Sequence, residues 1–148
     1  MDKNYDVPEY NATDEDIRRI FQSSKVIAVV GLSRHHEADS YRVASYLQEH
    51  GFRIIPVRLK AKEILNEKSY ASLEEVPEKI DVVNIFRKPE DVGEVVDSAI
   101  AIGAKTVWMQ EGIVHNVAAA KAHEAGLTVV MDRCLMKEYK KYGIDTSL

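Results

Sequence analysis

Val26-Ile27-Ala28-Val29-Val30 runs without interruption into Gly31-Leu32-Ser33-Arg34. An unbroken apolar run rich in β-branched side chains reads as a strand covered on both faces, as in a parallel sheet. A glycine at the strand's end, opening a loop that leads into a helix, is the arrangement by which a backbone approaches a phosphate closely.

Outward from this junction, one phrase of helix, glycine and strand occurs three times. It reads Tyr46-Leu47-Gln48-Glu49-His50-Gly51-Phe52-Arg53-Ile54-Ile55, then Ala99-Ile100-Ala101-Ile102-Gly103-Ala104-Lys105-Thr106-Val107-Trp108. The third copy is Ala122-His123-Glu124-Ala125-Gly126-Leu127-Thr128-Val129-Val130-Met131. Each glycine falls where a helix ends in a left-handed residue, and a short β-branched or aromatic run follows it. Ile80 to Phe86 adds a further strand, and Pro89-Glu90-Asp91 opens the helix after it. Upstream, Thr13 caps a helix whose first turn holds Asp14, Glu15 and Asp16. Between the second strand and Ile80, a short helix is expected at Ser72 and a weak strand near Lys68 to Tyr70. The alternation predicts an α/β, Rossmann-like doubly wound fold: a mainly parallel sheet of about five strands flanked by helices. Residues 13–142 read as one domain, 1–12 as an N-terminal arm that is loose or straps the surface, and 143–148 as a C-terminal tail.

The bulk composition narrows the function classes. A chain of 148 residues, 45% apolar and 30% charged, can bury a core and is not of disordered type. With Cys134 as its one cysteine it has no internal disulfide framework and no cysteine-built zinc site. The histidines show no metal-binding spacing. A net charge of −4 argues against broad nucleic-acid binding. No run approaches the ~20 apolar residues of a membrane span, so a cytoplasmic protein with no membrane partner is expected. A homodimer or a protein partner stays open.

In an open parallel sheet, ligands sit beyond the carboxyl ends of the strands. There this acidic chain collects cations: Arg34 after the first strand, then Arg58, Lys60 and Lys62, then Arg87 and Lys88. The second strand ends in Pro56-Val57-Arg58-Leu59-Lys60 and lacks the acid that would hold an NAD ribose. Arg58 or Lys60 would instead pair with an extra ribose phosphate, and the start of the helix at Ser40-Tyr41-Arg42 would take a diphosphate. Coenzyme A fits this pattern better than NAD; by charge alone, NADP fits it too. Gly31 has no second glycine before Ser40, so serine hydroxyls and arginines would do what bare backbone does in a tight dinucleotide turn.

Several segments in order carry a family resemblance: Val29-Val30-Gly31-Leu32-Ser33, Ser40-Tyr41-Arg42-Val43-Ala44, Ile55-Pro56-Val57, Val82 through Arg87, and Met131-Asp132-Arg133-Cys134. Over roughly residues 13 to 140 the chain resembles the small stand-alone CoA-binding proteins. These are in turn similar to the N-terminal CoA-binding domain of the succinyl-CoA synthetase α subunit. The resemblance implies binding of CoA or an acyl-CoA by its 3′-phospho-ADP part. It implies Gly31, Ser33 and Arg34 in the first phosphate loop, with Ser40 and Arg42 at the next helix start. Pro56 and the residues after it would line the nucleotide side, Phe86 and Arg87 would flank the cofactor, and Gln110 would face it from the next strand end. The chain departs from the family where Arg58-Leu59-Lys60 stands in place of the usual Asn-Pro-Lys.

Little here argues for catalysis. His35 and His36 read as solvated loop residues, and His115 and His123 as helix-end residues. Glu111 follows a strand but is weak evidence for a base. The resemblance stops short of the region that carries the synthetase's phosphorylated histidine. A non-catalytic or regulatory CoA-binding protein leads, with a small NADP- or acyl-CoA-dependent enzyme or enzyme subunit as the alternative. Cys134 reads as a buried thiol, or as one polarised by Arg133 and placed to meet the cofactor's thiol.

Overall fold

In the computed structural model, which describes residues 7–143, the opening run becomes β1 (Val26–Val30), the strand from which the sheet is wound in both directions. β2 (Arg53–Val57) lies on one side of it and β5 (Val82–Ile85) on the other. β6 (Thr106–Met109) and β7 (Thr128–Val130) follow, giving the order β2-β1-β5-β6-β7 with every neighbouring pair parallel. This is the α/β, Rossmann-like doubly wound sheet expected from the sequence. Its switch in winding falls between β1 and β5, where such folds open a crevice.

Alternation along each strand divides the core. Ala28, Val30, Val83 and Ile85 face α3 (Pro89–Ala101) and α4 (Asn116–Glu124). Ile27, Val29, Val82 and Trp108 face α1 (Asp14–Ser23), α2 (Asp39–Glu49) and α5 (Leu135–Glu138). The buried faces of these helices remove apolar surface from water on both sides of the sheet. Thr13 accepts from the Asp16 N–H and Asp16 returns a bond to the Thr13 N–H, the capping box that starts α1.

Both sheet edges are covered. At β2, Pro56 lacks an N–H and sits where an edge strand tolerates it; the Tyr70 N–H reaches the Pro56 carbonyl at 3.0 Å. At β7, the side-chain amide of Asn11 acts as a short piece of strand, donating to the Met131 carbonyl at 2.9 Å and accepting its N–H at 3.0 Å. Residues 7–12 are therefore a strap; the first six residues of the expected arm lie outside the described residues. The segment before β5 differs most from expectation. It holds a two-stranded ribbon, β3 (Glu63–Ile64) and β4 (Glu67–Lys68), turning through Leu65 and Asn66 at positive φ. The strand expected near Lys68 to Tyr70 is present as the end of β4 at Lys68 and a single bridge between Tyr70 and Val57, and the helix at Ser72 is a 3-10 turn, Leu73–Glu75. Strands of two residues leave no periodic signal to read.

Asp81 joins three strands at the end of the sheet away from the crevice. Its carboxylate accepts the N–H groups of Lys25 and Val26 at 2.8 and 2.9 Å and lies 3.5 Å from the Lys105 ammonium. Burial works to raise this carboxyl, but the backbone donors and Lys105 outweigh it and hold it below the ordinary range. A depressed folded value stabilises the fold above the unfolded value of about 3.9, and that stabilisation is lost as pH falls through the folded value. Asp81→Ala should thus cost about 1–3 kcal/mol near neutral pH, with the gap from wild type closing in acid, as urea unfolding across a pH series would record. Asn84, wholly buried in mid-sheet, has neither amide atom hydrogen-bonded among the described residues. Asn84→Leu should consequently leave urea stability unchanged or raise it, by up to ~1 kcal/mol, rather than lower it.

Candidate functional site

Gly31 sets the geometry of the crevice. Its N–H donates to the Val57 carbonyl at 3.0 Å, tying the end of β1 to β2, while the Phe86 N–H donates to the Val30 carbonyl at 2.9 Å, tying it to β5. The chain turns here with φ +89°, and a Cβ would lie 2.2 Å from the Phe86 carbonyl oxygen. Only glycine lets these backbones approach so closely.

The aromatic residue above this contact divides the strand-end surface in two. On the α3 side lies a groove of about 490 Å³ lined by Gly31, Val57, Arg58, Phe86, Arg87 and Lys88. A recess of about 230 Å³ adjoins it, sharing Arg58, Leu59 and Arg87 and running back to Ser72 and Ser98. Arg87 sits 3.3 Å from Asp91. Arg58 has no carboxylate partner among the described residues; its guanidinium reaches the Leu32 carbonyl at 3.5 Å. Three cations therefore face one carboxylate around this groove, which leaves it attractive to an anion.

On the α2 and α5 side lies a chamber of about 520 Å³, lined by Arg42, Phe86, Gln110, Glu111, Cys134 and Lys137 among others. Its charges are already matched: Arg42 pairs with Asp39 and bonds the Glu37 carbonyl, and Lys137 lies 3.1 Å from both Glu111 oxygens. This chamber is neutralised where the groove is not.

Of the residues singled out in the sequence, Gly31, Arg58, Phe86 and Arg87 come together in the groove, and Arg42, Phe86 and Gln110 in the chamber. Ser33 and Ser40 are tied to the loop itself: the Ser33 N–H donates to the Ser40 hydroxyl at 2.9 Å, and the Ser33 hydroxyl accepts from the His35 N–H at 3.0 Å. Arg34 and Lys60 are exposed and stand outside both hollows. Pro56 is buried within β2, in register with Val29, and also lies outside them. The α2 start carries no side-chain cap, so its first N–H groups stay open to a ligand. Arg133 does not serve the thiol beside it, because its guanidinium turns to Glu138 at 3.4 Å. Lys137 and Met136, which the sequence reading missed, reach the chamber because α5 folds back over the sheet. No spacing in the sequence marked them. Among the described residues no group of histidine, cysteine and carboxylate side chains is placed to hold a metal ion, and no helix is long and apolar enough to cross a membrane.

Comparison with known proteins shows the family and supports the fold. The model of a family described as a CoA binding domain matches residues 25–140, and the chain belongs to that family. It is 38% identical over 125 residues to the uncharacterised protein YneT of Bacillus subtilis, covering 84% of this chain and 93% of that one. The solved structure of a hypothetical protein from Pyrococcus horikoshii superposes with a TM-score of 0.87 at 43% identity, covering 96% of this chain and 99% of the other. An ADP-forming acetate–CoA ligase of Archaeoglobus fulgidus is 27% identical over 137 residues, which is 91% of this chain but 19% of the ligase.

The Gly31 contact yields a paired prediction. Gly51 also has positive φ, but a Cβ there would meet nothing within 4 Å. Gly51→Ala should cost the left-handed strain alone, about 1–2 kcal/mol, whereas Gly31→Ala should cost clearly more because the Phe86 carbonyl must move. Urea unfolding of both variants side by side measures the difference.

Proposed function

We propose that the protein binds coenzyme A, free or acylated, through its 3′-phospho-ADP portion at the carboxyl ends of β1, β2 and β5, and that it holds the cofactor rather than transforming it. Arg58 carries this reading. It is a guanidinium without a carboxylate partner among the described residues, standing where a nucleotide-binding α/β fold meets the ribose. A ribose phosphate would give it the charge-assisted partner it lacks. Arg87 and Lys88 extend the same positive surface, and the uncapped start of α2 with the Gly31 loop suits the diphosphate. Membership in the CoA-binding family, and kinship with a segment of a CoA ligase, favour CoA over NADP. The holding role is supported by the state of the candidate acid–base groups. Glu111 is ion-paired to Lys137, and His115 uses Nδ1 to accept the Ala118 N–H and cap α4.

Titration calorimetry tests the reading. CoA should bind more tightly than dephospho-CoA. Arg58→Ala should weaken CoA about tenfold, the loss of one charge-assisted bond, while dephospho-CoA binding stays nearly constant. A preference for NADP over CoA, or equal losses for both CoA forms, would overturn the assignment.

A further inference from the structure

The α5-side chamber has features that the nucleotide groove does not explain. Cys134 lines it and is 5% exposed, with a free thiol. Gln110 lines it as well and is 6% exposed. The Gln110 side-chain oxygen accepts the Leu135 N–H at 3.4 Å, but its Nε2 donates to nothing among the described residues. Gln110 is largely buried but its unpaired Nε2 opens onto the chamber, where a polar group of a ligand can accept from it. The thiol is also held firmly. The Trp108 indole N–H donates to the Arg133 carbonyl at 2.8 Å, and the Asp132 carboxylate accepts the Gly112 N–H at 2.7 Å. Because Cys134 is the one cysteine of this sequence, no second thiol within it can pair with Cys134 or release it.

The chamber adjoins the groove across Phe86, which lines both. From the end of β2 to the end of β7 is four strand spacings, roughly 19 Å, within reach of an extended diphosphate and pantetheine arm. We infer that the chamber receives the thiol end of the cofactor and that Cys134 undergoes exchange with a CoA disulfide, leaving CoA attached to the protein through a mixed disulfide. This rests on the CoA-binding reading above. In the step, the Cys134 thiolate attacks one sulfur of the CoA disulfide. The new Sγ–S bond forms as the old S–S bond breaks, and the departing CoA thiolate takes up the proton that Cys134 gave up. One disulfide is consumed and one is formed, so no other oxidant is needed. Gln110 Nε2 donates to an amide carbonyl of the arm. The protein then stores CoA in a form that a reducing thiol releases.

The test is intact-mass spectrometry of the full chain incubated with CoA disulfide, with glutathione disulfide in parallel and CoA calorimetry on the same preparation. Wild type should gain one CoA, lost again on reduction, and Cys134→Ser, checked as folded by its thermal melt, should gain none. Exchange with CoA disulfide should outpace glutathione disulfide by on the order of tenfold or more, because binding positions the reacting sulfurs. Arg58→Ala should remove that advantage without changing the glutathione rate. CoA binding without an adduct would overturn this inference and leave the CoA-binding reading standing. Equal rates for the two disulfides would overturn it as ordinary thiol reactivity. Absence of CoA binding would overturn the reading on which it rests.

Discussion

The close approach of Gly31 to the Phe86 carbonyl holds the other parts of the crevice in place. β1 must deliver its chain end between β2 and β5, because the sheet reverses its winding there. Two backbone hydrogen bonds, one to each neighbour, draw the three strand ends together until no side chain fits at the turn. Phe86 is thereby lifted into the ridge between groove and chamber, and Arg87 is carried onto the groove side. At the other end of the sheet, Asp81 plays the matching part, gathering the starts of β1, β5 and β6 through backbone donors. A sheet tied at both ends fixes where its carboxyl edge presents charge.

Charge then separates the two hollows. An acidic protein can still present a positive groove, because a binding surface depends on local pairing rather than net charge. Here the distinction is which cations already have partners. Arg42 and Lys137 are matched by Asp39 and Glu111, so the chamber is close to neutral. Arg58 has no such partner among the described residues, and Arg87 shares one carboxylate with the rest of its groove. Unpaired positive charge is thus concentrated on the α3 side, while the α5 side is close to neutral. The hydroxyl oxygens of Ser33 and Ser40 accept backbone N–H groups within the loop, which fixes where their own O–H donors stand.

The fold was legible because its signals are local and repeated. Three glycine-ended helices, each followed by a short apolar run, demand parallel strands with crossover helices, and Gly51, Gly103 and Gly126 do take positive φ. Of the β3–β4 ribbon only a strand near Lys68 was expected; β3 and the turn escaped detection because the strands have two residues each and the turn places Leu65 at positive φ beside Asn66. The site was legible in part. Gly31, Arg58, Phe86 and Arg87 could be placed together because each directly follows or ends a strand, and the strand ends share one edge. Pro56 has the same kind of sequence position, yet it serves the sheet edge and stays buried.

By itself, then, the amino-acid sequence determined the doubly wound parallel sheet and the gathering of positive charge at the carboxyl ends of its strands. Those follow from periodicity, turn chemistry and the rule that strand ends in a parallel sheet lie side by side. Tertiary structure alone decided which cations remain without an acid, since Arg42 meets Asp39 and Arg133 meets Glu138 only when helix and loop geometry bring them within reach. It also decided that Cys134, Gln110 and Lys137 share one chamber, because α5 folds back over the sheet and joins residues that no sequence spacing connects.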